Sequence, residues 1–255
     1  MTRFAANLGL LWPGLPLPDR IDAAARAGFR AVEMQFPYEV PPQIVRHLSQ
    51  RLNLELLGIN SPPGDLARGE LGLAALPGRE AAFMESIGRA LEYCEIAGFH
   101  SIHVMAGNVS GLPRETCRDV FMNNLRRAAD AAAPHGVTLL LEPLNRVDYP
   151  DYFYGTVDEG IAALGDIARP NVRLQFDAYH AGVHCRDVVA ALQRSWSWVG
   201  HIQIAAVPDR GEPDQGEVDM FAVIRAADML GYTGWIGCEY RPRGDTDEGL
   251  AWMRR

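Results

Sequence analysis

The chain contains no lysine, so all 24 of its basic residues are arginine. Schiff-base aldolases, pyridoxal enzymes and P-loop nucleotide sites each need a lysine amine, and all three are excluded at once. Any chemistry must use carboxylates, histidines, arginines or a metal. Cysteine is scarce too: Cys94, Cys117, Cys185 and Cys238 are widely spaced with no C-x-x-C pair, and buried, reduced thiols are expected. No apolar run approaches the roughly 20 residues of a membrane span. The start "MTRFAANLGLLWPGLPLPD" lacks a basic segment followed by an apolar core, so a cytoplasmic protein with no membrane partner is expected. Surplus positive charge is also missing. A net charge of -8 and a pI near 5.4 leave no basic face for a duplex, so nucleic acid is not expected as a partner.

What the chain does have is a repeated unit, a short apolar run followed by about 12 to 20 residues of helical periodicity. Candidate strands are "FAANLG" (4–9), "AVEMQ" (31–35), "LELLGIN" (54–60), "SIHVMAG" (101–107), "VTLLLEP" (137–143), "VRLQFD" (172–177), "VGHIQIA" (199–205) and "GWIGCEY" (234–240). Helical stretches lie between them, such as 79–97 with Phe83, Ile87, Ala90, Leu91 and Cys94 on one face, and 114–133 with Phe121, Leu125, Ala128 and Ala132. The glycines of "AGF" (27–29), "AGF" (97–99), "HGV" (135–137) and "LGY" (230–232) are placed to stop helices just before the next strand. Eight such units in 255 residues fit a single (β/α)8 TIM barrel spanning 1–255, closed by a short terminal helix. A doubly wound sheet would usually have fewer strands, and no G-x-G-x-x-G follows the first one. The longest irregular pieces, 61–78 and 207–219, both follow strands and are candidate lids or substrate-contacting loops.

Four consecutive strands end in an oxygen donor: Glu142 in "VTLLLEP", Asp177 in "VRLQFD", Gln203 in "HIQI" and Glu239 in "WIGCE". In a barrel those ends converge on one mouth, and period-2 alternation turns each side chain inward while its apolar neighbours face the helices. Any one acid at a strand end is commonly a loop salt-bridge partner or a helix cap, and Asp177 could cap the segment after its strand. Four at matching positions point elsewhere. Three carboxylates crowded together raise one another's pKa unless a cation sits among them, and an all-oxygen set suits one Mg2+ or Mn2+ ion better than zinc. Asn7, Glu33, Asn60 and His103, near the ends of the first four strands, are candidates for the other half of the pocket, and Trp12, Phe36 and Tyr38 for an apolar wall.

The segments "LLEPLN" (140–145), "FDAYH" (176–180), "HIQIA" (201–205) with "VPDRGEPDQGEVD" (207–219), and "GWIGCEYRP" (234–242) resemble the hydroxypyruvate isomerase family of the xylose-isomerase-like barrels, as do "RFAANLG" and "GFRAVEMQFPYE" near the start. The resemblance implies metal-dependent isomerisation of hydroxypyruvate to tartronate semialdehyde. It also implies that Glu142, Asp177, Gln203 and Glu239 hold the ion, that Glu142 and Glu239 are acid and base, and that His180 and Arg210 bind the substrate, a small hydroxy-oxo acid. A homo-oligomer is compatible with it. Moving a carbonyl one carbon along takes a proton from one carbon, delivers one to its neighbour and stabilises the enediolate between, which such a set can do.

The chain departs from many relatives at Ala181 and Gly182, where a glutamine is usual, and slightly in "VPDRGEP". Those changes bear on substrate size, so a 2-oxotetronate is the nearest alternative to hydroxypyruvate. A ketose 3-epimerase would use the same metal and glutamates on uncharged sugars, whereas a substrate carboxylate demands a cation such as Arg210. An abasic-site endonuclease would need a His-rich zinc cluster and a basic face; the chain has seven histidines and a net charge of -8. A non-catalytic sugar-binding barrel would be expected to have lost one of the two glutamates.

Overall fold

The computed structural model describes residues 2–254. Eight parallel strands, β1 (Arg3–Asn7), β2 (Ala31–Met34), β3 (Glu55–Asn60), β4 (Ser101–His103), β5 (Thr138–Leu141), β6 (Val172–Asp177), β7 (Val199–Ile204) and β8 (Trp235–Cys238), pair in chain order, and β1 with β8 closes the barrel. All eight coincide closely with the runs expected from sequence. Most are shorter than those runs, and Glu142 and Glu239 lie just past the last residues of β5 and β8. The expected strand at 101–107 pairs only as far as His103, and Gly72 and Ala106 then form an isolated bridge.

Around the barrel run α1 (Leu17–Arg26), α2 (Pro42–Leu52), α3 (Glu80–Ala97), α4 (Arg114–Ala132), α5 (Val157–Ile167), α6 (Ala178–His184), α7 (Val188–Ser195), α8 (Met220–Met229) and the short α9 (Thr246–Gly249). Gly98 ends α3 at a φ of 103°, a left-handed conformation that costs glycine nothing. Asn53 and Ala168 do the same for α2 and α5 without a glycine, so those two helix ends carry no obvious signal in the sequence.

The apolar core lies between strands and helices. Val32, Leu139, Leu141, Leu174, Phe176, Ile202, Ile204, Ile236 and Cys238 are all fully or almost fully buried. Cys94, Cys117 and Cys238 are buried free thiols as expected, whereas Cys185 is half-buried at the end of α6. A separate small apolar cluster, Ala5, Ala31 and Leu57, packs together with Trp235 against it. The interior of the barrel turns polar. Glu33 on β2 reaches His201 and Gln203 on β7, which is not a neighbouring strand, so these contacts cross the barrel itself.

The loop at 61–78 is tied to its surroundings by side-chain and backbone contacts. Glu70 pairs with Arg79 and accepts from the Asp65 amide, and Gly72 holds Ala106 by a backbone bridge. The loop at 207–219 instead delivers Arg210 into the barrel mouth. Among the described residues, no helix is long and apolar enough to cross a membrane.

Candidate active site

Asp177 is the last residue of β6 and also caps α6, its Oδ1 accepting from the Tyr179 amide at 2.8 Å. The capping role weighed from sequence is therefore real, but it occupies only one oxygen. Asp177 Oδ2 is buried with no hydrogen-bond partner, and so is Glu142 Oε1. His180, one turn into α6, brings Nε2 to 3.7 Å from Asp177 Oδ2 and 3.9 Å from Glu142 Oε1. Glu142, Asp177 and His180 form a group whose ligating atoms all lie within 4.8 Å of one another.

Two buried carboxylate oxygens left without donors are costly, and a cation would relieve them. The electrostatics agree. Burial pushes Glu142 well above the ordinary carboxylate range, and Glu239 and Asp177 push it the same way. Burial also pushes Asp177 up to about 7 against the pull of Arg210. The donor set fits a divalent ion with oxygen ligands.

The tautomer of His180 separates it from the carboxylates. Its Nδ1 accepts the backbone N–H of Asn145 at 3.1 Å and faces the Asn145 side-chain amide nitrogen at 2.8 Å. Burial, reinforced by Arg210, holds the ring neutral, so its one hydrogen must sit on Nε2. A nitrogen that carries hydrogen donates to an oxygen and cannot ligate a metal. His103 is likewise neutral, pushed down to about 3 by burial, and places Nδ1 3.1 Å from Glu142 Oε2.

Glu239 is held from two sides. Gln35 Nε2 donates to its Oε1 at 2.8 Å and Arg210 Nη2 to its Oε2 at 2.8 Å. Arg210 also stands 3.6 Å from Asp177 Oδ2, with its guanidinium carbon 4.9 Å over the Tyr179 ring. Burial opposes its charge, but Glu239, Asp177 and Glu142 keep its pKa raised, so it is the fixed cation of the mouth. Gln203 is tied differently. Its Oε1 accepts from Gln175 Nε2 at 2.7 Å, and that same Gln175 nitrogen donates to Glu142 Oε2 at 2.8 Å.

The structure thus gathers Glu142, Asp177, His180, Arg210 and Glu239 at one mouth, with Gln203 joined through Gln175. Asn7, Glu33, Asn60 and His103 do share one cavity, but it measures about 20 Å³ and lies within the barrel. That is room for about one water molecule, not for a substrate. The expected apolar wall is also revised. Trp12 is buried and donates its indole N–H to Asp247, Tyr38 donates to the Asn60 carbonyl, and only Phe36 is exposed, on a cleft of about 510 Å³ shared with Gln35. Gln35 and Gln175 carry no conspicuous signal in the sequence. Each stands on an inward-facing position of an otherwise apolar run, so alternation is the one pattern that could have found them.

Residues 21–255 match the family model of the xylose isomerase-like TIM barrel. The chain is 48% identical over 255 residues to a 2-oxo-tetronate isomerase of Cupriavidus necator, covering 100% of this chain and 98% of that one. It is 34% identical over 254 residues to the hydroxypyruvate isomerase of Escherichia coli, covering 99% and 98%. Among solved structures, a Brucella melitensis protein described as an AP endonuclease of family 2 superposes with a TM-score of 0.97 at 41% identity, covering 100% of this chain and 98% of that one. With the barrel, its strand-end acids and these relatives together, the chain belongs to the hydroxypyruvate isomerase family of xylose isomerase-like TIM barrels and is an isomerase.

Proposed function

We propose that the protein isomerises a short 2-oxo acid bearing a hydroxyl on the next carbon, with hydroxypyruvate and 2-oxotetronate as its two candidate substrates. The observation that carries this reading is the pair of unpartnered, buried carboxylate oxygens on Glu142 and Asp177, next to the fixed cation Arg210. The names of the relatives support both substrates, one of four carbons and one of three.

Glu142, Asp177, Glu239 and the Gln203 carbonyl would hold one divalent ion, Mg2+ or Mn2+, which supplies charge stabilisation for an enediolate without any lysine. Arg210 binds the substrate carboxylate through its forked N–H donors, which an uncharged ketose would leave unused. His180 donates its Nε2 hydrogen to a substrate oxygen. Glu142 and Glu239, on opposite sides of the bound acid, exchange protons with the two adjacent carbons: one leaves the hydroxyl-bearing carbon and one arrives at the former carbonyl carbon. Burial keeps bulk water from quenching the intermediate. The protein would act in the cytoplasm.

The name of the Brucella neighbour invites a nuclease reading, which has less support. Among the described residues the only clustered group of metal-ligating type is Glu142, Asp177 and His180, and the net charge of -8 opposes a nucleic acid.

Purified protein stripped with EDTA and assayed with hydroxypyruvate, 2-oxotetronate and uncharged ketoses, before and after adding Mn2+ or Mg2+, tests the proposal. Turnover of an oxo acid restored by metal is expected. Preference for the uncharged ketoses, or no turnover with metal bound, would sink it.

A further inference from the structure

Below the mouth, hydrogen bonds run in one direction across the barrel. Gln175 Nε2 donates to both Glu142 Oε2 and Gln203 Oε1, and Gln203 Nε2 in turn donates to Glu33 Oε1 at 2.7 Å. Glu33 also takes Asn7 Nδ2 on Oε1 at 2.8 Å and faces His201 Nε2 through Oε2 at 2.6 Å. Every one of these side chains is buried or nearly so.

The two amides in this chain have no freedom to turn over. Reversing Gln203 would set its oxygen against the Glu33 oxygen and its nitrogen against the Gln175 nitrogen; reversing Gln175 would set its oxygen against the Glu142 carboxylate. The acceptor-only group at position 33 and the donor on Gln175 thus set together which end of Gln203 points upward. The barrel is shaped to admit that group: a Cβ on Gly237, the register partner of Gln203 on β8, would lie 2.5 Å from Glu33 Oε1. The side chain missing from β8 makes room for the carboxylate arriving from β2.

We propose that Glu33 is a positioning residue, which fixes the Gln203 amide so that its carbonyl oxygen, and not its NH2 group, faces the metal-holding carboxylates. This rests on the metal reading given under Proposed function. Glu33 never touches substrate; it acts through Gln203, and Gln175 ties that orientation to Glu142. An amide cannot replace it, because an amide at position 33 offers a donor as readily as an acceptor, which removes the lower hold on Gln203 and leaves only the Gln175 donor to orient it.

The test is the Mn2+ dissociation constant, read by electron paramagnetic resonance of free Mn2+, for the wild-type chain, Glu33→Gln, and the double variant Glu33→Gln with Gln203→Glu, with the melting temperature of each. Mn2+ binding by Glu33→Gln is expected to weaken by about 10-fold or more, in the range of losses seen when an outer partner of a metal ligand is removed. The double variant is expected to recover most of it, because a carboxylate at position 203 presents oxygen at either end and accepts from the amide at 33. A purely structural Glu33 would lower the melting temperature and leave the Mn2+ affinity of the folded protein alone, which overturns the proposal. If Glu33→Gln fails to fold, the double variant decides: Mn2+ binding near wild type supports the proposal, and a folded double variant that binds Mn2+ no better than EDTA-competed background overturns it. Absence of Mn2+ binding by the wild-type chain would overturn the metal reading and this inference together, whereas wild-type binding with unchanged Glu33→Gln affinity overturns this inference alone.

Discussion

Arg210 and Glu239 meet at 2.8 Å through a guanidinium nitrogen and a carboxylate oxygen, and the pair is buried where the loop at 207–219 descends into the barrel mouth. Arg210 holds a positive φ of 57°, a backbone conformation that costs a non-glycine residue about 1 kcal/mol or more and persists only where its surroundings impose it. The loop thus gives up stability to place a cation beside a proposed catalytic glutamate.

Removing that cation leaves buried carboxylates unpaired. Arg210→Gln is expected to destabilise the metal-free protein by about 3–5 kcal/mol, the usual cost of breaking one side of a buried ion pair. Arg210→Lys keeps the charge but loses the fork, and its expected effect is a raised KM for the oxo acid with a smaller change in kcat. Chemical denaturation and steady-state kinetics on the two variants check this; unchanged KM in Arg210→Lys would remove the residue from substrate binding.

The metal-free protein should weaken as pH rises. Burial raises Asp177 from 3.8 to about 7. Between those values the folded chain holds a proton that the unfolded chain has released, so stability is greatest below about pH 4 from this group and falls as pH climbs toward 7. Melting temperatures of EDTA-treated protein are expected to be lower at pH 8 than at pH 5, and added Mn2+ to raise the melting temperature more at pH 8, where the carboxylates are free to bind it. A flat profile would show that the Asp177 carboxylate is relieved by something other than a cation.

Gly9 gives a third test. A Cβ there would lie 2.6 Å from the Gln35 side chain, the group that donates to Glu239 Oε1. Gly9→Ala is expected to push Gln35 aside and lower kcat by roughly 10- to 100-fold, the scale of lost supporting hydrogen bonds. Gln35→Met should show the same loss, and a Gly9→Ala enzyme of wild-type kcat would show that Glu239 needs no hold from Gln35.

The barrel was legible because its signals are local and repeated: eight apolar runs, helical periodicity between them, and glycines at helix ends. The oxygen donors at the ends of β5, β6, β7 and β8, three acids and Gln203, stood out because a polar group closing an apolar run is conspicuous and four recur at matching positions. Of the tier beneath them only Glu33 stood out, as a candidate for the pocket's other half, and its contact with Gln203 did not. Glu33, Gln175 and His201 each sit two residues before a mouth residue, Gln35 just past β2, Asp177 on β6 and Gln203 on β7, so alternation puts each on the same face. Their meaning comes from contacts across the barrel, such as Glu33 to Gln203, which join positions 170 residues apart. The role of Gly237 is visible only once Glu33 is seen occupying its space. His180 was legible as a candidate site residue, but its tautomer depends on the Asn145 amide, which no local pattern announces.

Proton transfer by the two glutamates is tested most directly by hydrogen exchange, monitored by proton NMR in D2O. The samples hold the oxo acid, Mg2+ and either wild-type protein, Glu142→Gln or Glu239→Gln, after confirming that each variant still binds metal. Wild-type protein is expected to exchange the hydrogen of the hydroxyl-bearing carbon with solvent as it isomerises the acid, and either glutamine substitution to reduce turnover by a factor of about 1000 or more. Isomerisation at wild-type rate in both variants would contradict this mechanism, because the two glutamates would then carry none of the proton transfer.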